Sequence, residues 1–203
     1  MNTFETIAAR RSVKHFDATH VMPEADLQKL FSAAILSPTS FNMQNWRFVA
    51  VQDLELKKQV RAAAWNQAQM EEASIVVFLC ADLQSFKDRP ERPERYWNNT
   101  PDNIKEMMTG MMTGFYEGKD QLQRDEAMRS CGIAAQTLML AAKDMGYDSC
   151  PMVGFDFNKI SELIKLPENH VISMAITIGK ALKPANDRAG QIALDEVFSI
   201  DTF

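Results

Sequence analysis

The sequence predicts an α+β fold: a central sheet, long helices around it, and an arm at the C-terminal end. Three observations carry that expectation. Apolar residues recur at the helical period over long stretches, above all in 24–35 and 124–145. Strand-like runs are few: WRFVAVQ, SIVVFLCA and HVISMAITIG, the second of them apolar after its first residue. The last 24 residues, Lys180 to Phe203, carry apolar side chains with no helical period. Many helices and few strands suit one layered α+β domain. An arm that cannot pack on itself needs another surface, such as that of a second subunit.

The elements follow in chain order. Phe4, Ile7 and Ala8 suit a short first helix. Pro23 can open the second, and Glu24 and Asp26 favour its positive end. Leu27, Leu30, Phe31, Ala34 and Ile35 give it an apolar stripe, and Ser37-Pro38 stops it. Residues 46–52 read as a strand, and 53–72 as one helix with Leu56, Val60, Ala63 and Ala64 inward. SIVVFLCA reads as a buried strand. Residues 82–103 are charged and contain Pro90, Pro93 and Pro101, which suggests a mobile loop or excursion. NIKEMMTGMMTGFYEG then reads as helical despite Gly110 and Gly114. A long helix should run from Arg124 to Met145 and end at Gly146. Three helices are expected between the second strand and the last, which covers 170–179.

Bulk properties narrow the function. The chain has 203 residues, 46% of them hydrophobic, enough for a substantial core. A net charge of −5 gives no basic face for nucleic acid. The opening MNTFETIAARRS lacks the apolar block of a secretory signal, and the longest apolar run is too short to span a bilayer. Cys80, Cys131 and Cys150 form no C-x-x-C and no disulfide framework. These features point to a reducing, cytoplasmic setting. Neither dinucleotide nor P-loop glycine motifs occur. His15, His20 and His170 lack metal-ligand spacing, and Cys131 and Cys150 have no His nearby in sequence. The chemistry is therefore expected to belong to a bound cofactor.

Several stretches are candidates for holding one. RRSVKHFD, Arg10 to Asp17, packs three cations into eight residues. Arg10 and Arg11 could compensate the C-terminal end of the first helix. Alternatively, Arg10, Arg11 and Ser12 form an anion site, with Lys14 on the same side as Ser12 if the segment is extended. In SPTSFNMQNWRF, amides and hydroxyls surround Phe41 and Trp46. That is either a polar turn or a seat for an aromatic heterocycle with polar edges. Asn66 and Gln69 would share a helical face, solvated or functional. Met107 and Met111, and Met108 and Met112, pair at i, i+4, as in a core or a subunit interface. Arg188, in ANDRAG, is either an exposed arm cation or part of a site.

In this order the segments resemble the FMN-dependent nitroreductase family, and within it the bacterial NAD(P)H nitroreductases. The resemblance rests on RRSVKHFD, SPTSFNMQNWRF, NQAQMEEASIVVF, GYDSCPMVGFD and ITIGKALKPANDRAG, and runs from residue 4 to about 200. It implies a single nitroreductase-like domain over 1–203, with an 82–118 excursion and a 180–203 arm. The sheet would be mixed, mainly antiparallel, and the arm would be exchanged in a homodimer with FMN at its interface. It implies ping-pong transfer of hydride from NADH or NADPH to nitroaromatic or quinone acceptors, with no protein nucleophile. Arg10, Ser12 and Arg188 would hold the FMN phosphate, and Arg11 would also be among the cofactor-binding residues. Lys14, Asn66 and Gln69 would face the pyrimidine edge of the flavin, and the backbone of Val153 and Gly154 its N5 and O4. Pro38, Thr39, Ser40 and Asn42 would come from the other subunit. Gln69, Val153 and Asn186 depart from the commonest family residues, a Lys, a Glu and a phosphate cation. Same-fold flavoenzymes with other reactions (dehydrogenation, dehalogenation, flavin breakdown), a non-catalytic flavin binder and an interaction module with a Met-rich helix are the alternatives.

Overall fold

A computed structural model describes residues 1–87 and 96–203. The centre of the expected 82–103 excursion, 88–95 with Pro90 and Pro93, lies outside the described residues. Seven α-helices occur among them: α1 (Thr3–Ala9), α2 (Glu24–Ala34), α3 (Leu54–Ala63), α4 (Gln69–Glu72), α5 (Asp102–Tyr116), α6 (Asp120–Asp144) and α7 (Phe157–Leu163). Four strands, β1 (Trp46–Val51), β2 (Ile75–Asp82), β3 (Asp148–Met152) and β4 (His170–Gly179), form one sheet in the order β1-β2-β4-β3. Every pairing within it is antiparallel. The parallel component is confined to a bridge from Ser12 to Ser149.

The central strand β2 is buried along its whole length, and its side chains alternate between two helical layers. Ile75, Val77 and Leu79 join α2 and α6, while Val76, Phe78 and Cys80 join α3 and α7. The long helix α6 meets the sheet with small residues, Ala127, Ser130, Cys131, Ala134, Ala135 and Ala142, all buried. They let its backbone lie close to the strands. It stops where Gly146 takes φ +76°, a left-handed conformation that costs glycine little. α1 is started by a capping box, with Asn2 and Glu5 each accepting the other's backbone N–H. A third apolar cluster, Met43, Phe86, Trp97, Met112 and Tyr116, lies under α5.

Two expectations fail. Residues 53–72 are not one helix. α3 ends at Ala63, Trp65 and Asn66 follow with φ +51° and +59°, and only then does the short α4 begin. Two consecutive left-handed residues cannot sit within a right-handed helix. The three helices expected before the last strand are interrupted by β3. DSCPM contains Pro151, which removes a ladder donor, and such residues are tolerated on an edge strand. β3 is that edge.

The arm leaves β4 beside His15–Asp17. Asp17 N donates to Lys180 O at 2.8 Å, and Leu182 N to His15 O at 2.9 Å. Beyond Ala185, which packs on Val13, Phe16 and Ala73, it lies on the surface. It contains only a 3-10 turn at Leu194–Glu196, as its lack of periodicity predicts. Ile192, Leu194, Val197, Phe198 and Ile200 are 59–75% exposed in the single chain.

Candidate functional site

The basic segment turns extended as soon as α1 ends. Arg10, its C-cap, has φ −64° and ψ 125°. Val13 N then donates to Ser149 O at 3.1 Å, fastening the segment along the outer side of β3. Ser12 and Lys14 are exposed on one side with Val13 buried between them, as an extended segment predicts, but Phe16 is buried too, so the alternation ends at Lys14. Arg188 reaches back from the arm and donates to Ala8 O at 3.2 Å and Arg10 O at 3.3 Å. The cation that meets the carbonyl end of α1 is thus Arg188, not Arg10 or Arg11. Arg11 donates to Asn186 O and ties the arm a second time.

These residues enclose an open pocket lined by Arg10, Arg11, Ser12, Lys14 and residues 186–191. Four cations face one acid, Asp187, among its lining residues. Arg10 Nη1 is buried there with no hydrogen-bond partner. A buried guanidinium nitrogen left unsatisfied is costly, and an anion would satisfy it. Cys150 lies beneath. Burial pushes its thiol pKa up, while Lys14, Ser12 and Arg10 pull it back. The sequence shows no cation near this cysteine, but the fold brings two.

Farther along, β3 ends and Val153 and Gly154 follow, with Val153 63% exposed. The turn between α3 and α4 closes over them. Gln67 Nε2 donates to Gly154 O at 2.7 Å, and Gln69 Nε2 to Gln67 Oε1 at 3.3 Å. A Cβ on Gly154 would stand 3.1 Å from Trp65 Cζ3 and 3.3 Å from Gln67 Nε2. The backbone therefore runs against the turn at a distance that favours glycine. Asn66 is exposed and Gln69 is buried, so they share this turn but not a helical face. Gln67 and Trp65 carry no sequence signal for this role; of the two left-handed residues, Trp65 and Asn66, only Asn66 is of a type that tolerates that conformation.

The 38–42 loop is elsewhere. It precedes β1, on the opposite edge of the sheet, three interstrand spacings or about 14 Å from β3. Its contacts are with α5, α6 and Tyr96. Tyr116 Oη donates to Ser40 Oγ at 2.9 Å, Ser40 N to Glu126 Oε1 at 3.4 Å, and Asn42 Nδ2 to Tyr96 O at 2.6 Å. Thr39 Oγ1 accepts from Gln44 N at 2.9 Å. Pro38 is exposed. Phe41 lies 6.1 Å from the Phe115 ring. The paired methionines divide: Met112 is in the core, whereas Met107 and Met111 stay about half exposed on α5.

The structure therefore assembles Arg10, Arg11, Ser12, Lys14, Asn66, Gln69, Val153, Gly154 and Arg188 into one strip along the β3 edge. It holds Pro38, Thr39, Ser40 and Asn42 apart from that strip within the chain. The strip can take an anion at one end and a planar polar group beside the Gly154 backbone at the other. Among the described residues, no three His, Cys, Asp or Glu side chains converge as metal ligands would. No helix among them is long and apolar enough to cross a membrane.

Comparison with known proteins points the same way. Residues 7–180 match the model of the Nitroreductase family. "Protein DrgA" of Synechocystis is 50% identical over 186 residues, 91% of this chain and 87% of that protein. "Putative NAD(P)H nitroreductase YodC" of Bacillus subtilis is 33% identical over 97% of both chains. Among solved structures, a "putative NAD(P)H:FMN oxidoreductase" of Staphylococcus epidermidis superposes with a TM-score of 0.90 at 28% identity, covering 98% of this chain and 96% of that one.

Proposed function

The chain belongs to the nitroreductase family, and we propose that it is a homodimeric, cytoplasmic FMN oxidoreductase that uses NADH or NADPH to reduce nitroaromatics or quinones in ping-pong fashion. The observation that carries this reading is the β3-edge strip. It combines an unsatisfied, buried Arg10 nitrogen in a cationic pocket with a glycine backbone that a Cβ would crowd. That donor set fits FMN, with a phosphate at the basic end and an amide-rich ring edge at the other. When bound, FMN supplies a two-electron carrier between nicotinamide and acceptor.

The chain's own residues do the holding. Arg10, Ser12 and Arg188 bind the phosphate, and Arg11 keeps the arm against the pocket. Lys14 places a cation beside the pyrimidine edge, where Asn66 and Gln69 donate from their amides. Gln67 fixes the carbonyl of Gly154, and the Val153–Gly154 backbone would lie against the ring. Pro38, Thr39, Ser40 and Asn42 serve the flavin of the partner subunit, because their own strip lies at the other sheet edge. No side chain is needed as nucleophile, and solvent supplies protons. The arm packs its apolar residues on the partner. The three cysteines are free, buried thiols, which suits a reducing compartment.

Purified protein should be yellow. The test is anaerobic titration with NADH and NADPH, followed by addition of nitroaromatic and quinone acceptors. Bleaching by a nicotinamide and recovery by an acceptor support the enzyme. A yellow protein that neither nicotinamide bleaches is a flavin binder, and a colourless protein that takes up no FMN overturns the assignment.

A further inference from the structure

The 38–42 loop is held in an unusual shape. Phe41, Asn42 and Gln44 have φ of +50°, +48° and +45°, and none of them is glycine. Such conformations persist when surrounding contacts over-determine them. Two buried side chains do this at Ser40. Tyr116, at the end of α5 and 1% exposed, donates its hydroxyl to Ser40 Oγ at 2.9 Å. Glu126, in α6 and 9% exposed, accepts the Ser40 amide through Oε1 at 3.4 Å. Its carboxylate is itself aimed. Oε1 also accepts Ser130 Oγ at 3.1 Å, and Oε2 accepts Arg129 Nη1 at 3.0 Å. Burial raises the Tyr116 phenol above its ordinary pKa, so it remains a donor at neutral pH. Both side chains reach the loop at Ser40.

We infer that Tyr116 and Glu126 are positioning residues, holding Ser40 by its hydroxyl and its amide so that the 38–42 loop keeps the shape it presents to the partner subunit's flavin. The inference rests on the reading above that this loop reaches that flavin. It adds two residues that lie outside the proposed flavin contacts and whose removal should still be felt at the ring.

FMN titration of the dimeric apoprotein, with visible circular dichroism of the bound flavin, tests it on Ser40→Ala, Tyr116→Phe, Glu126→Ala and Glu126→Gln. Ser40→Ala, Tyr116→Phe and Glu126→Ala should each weaken FMN binding about three- to tenfold, the effect of one hydrogen bond. Each should also change the flavin dichroism. Glu126→Gln keeps an acceptor at Oε1 and should recover most of the loss. The double variant Ser40→Ala/Tyr116→Phe should bind no more weakly than the worse single variant, because both act through one contact. Losses that multiply in the double variant, or a Tyr116→Phe protein indistinguishable from the parent while Ser40→Ala is impaired, overturn the positioning role and leave the loop at the flavin. A Ser40→Ala protein with unchanged affinity and dichroism overturns the loop's place at the flavin, and this role with it.

Discussion

The two edges of the sheet are built by opposite means. Along β3 the candidate site is open, cationic and largely made of backbone: the extended 12–14 segment, the Val153–Gly154 step and the left-handed turn at Trp65–Asn66. Along β1 the 38–42 loop is packed on α5 and α6, and its polar atoms bond to buried side chains. The first edge offers a cationic pocket with an unsatisfied guanidinium nitrogen. The second is arranged to hold a shape. About 14 Å of sheet separates them in one chain, and the proposed site draws the two edges from two chains. The exposed apolar arm is the element suited to joining them.

The largest effect should come from removing that link. Burying the arm's apolar side chains is worth about 1.5–3 kcal/mol each. Truncation after Lys180 should therefore abolish both the dimer and bound FMN, as read by sedimentation and flavin absorbance. A truncated chain that stays folded, monomeric and yellow would show that one edge suffices.

Next comes the charge at the β3 edge. Arg188→Ala and Arg10→Ala should each weaken FMN binding about ten- to a hundredfold, the size of a charge-assisted hydrogen bond. Riboflavin, which lacks the phosphate, should be almost indifferent. Arg188 also bonds the last carbonyls of α1, so its loss should lower Tm slightly as well. Equal losses for both ligands would mean that these arginines do not read the phosphate.

The backbone at that edge should matter somewhat less. Gly154→Ala puts a methyl 3.1 Å from the Trp65 ring, tighter than ordinary carbon contact. We expect several-fold weaker FMN binding, largely restored in Gly154→Ala/Trp65→Leu, where the obstructing ring is gone. If the second substitution restores nothing, crowding by Trp65 is not the cause.

The smallest effect is electronic. A cation at Lys14 favours negative charge developing on a reduced ring. Lys14→Ala should lower the flavin midpoint potential by about 20–45 mV, whereas Lys14→Arg should largely keep it. Binding should largely persist, since Arg10, Ser12 and Arg188 remain in the pocket to hold the phosphate. A spectroscopic redox titration that finds the potential unchanged in Lys14→Ala would remove this residue from the ring.

The sequence by itself determined whatever local periodicity can report. The shared side of Ser12 and Lys14, the wholly buried β2, the long α6 ending at Gly146 and the unperiodic arm were all legible, because each reflects the burial of residues close together in the chain. Their order was also enough to reveal the family. Tertiary structure alone decided the rest. DSCPM is a strand only because β4 pairs with it on one side and residues 12–13 lie against it on the other, partners far away in sequence. The chain breaks at Trp65–Asn66 because the turn must close on Gly154, 87 residues from Gln67, and helical spacing carries no trace of that contact. Strand order, too, is non-local: it sets 38–42 and 10–14 at opposite edges of the sheet, which no local pattern encodes.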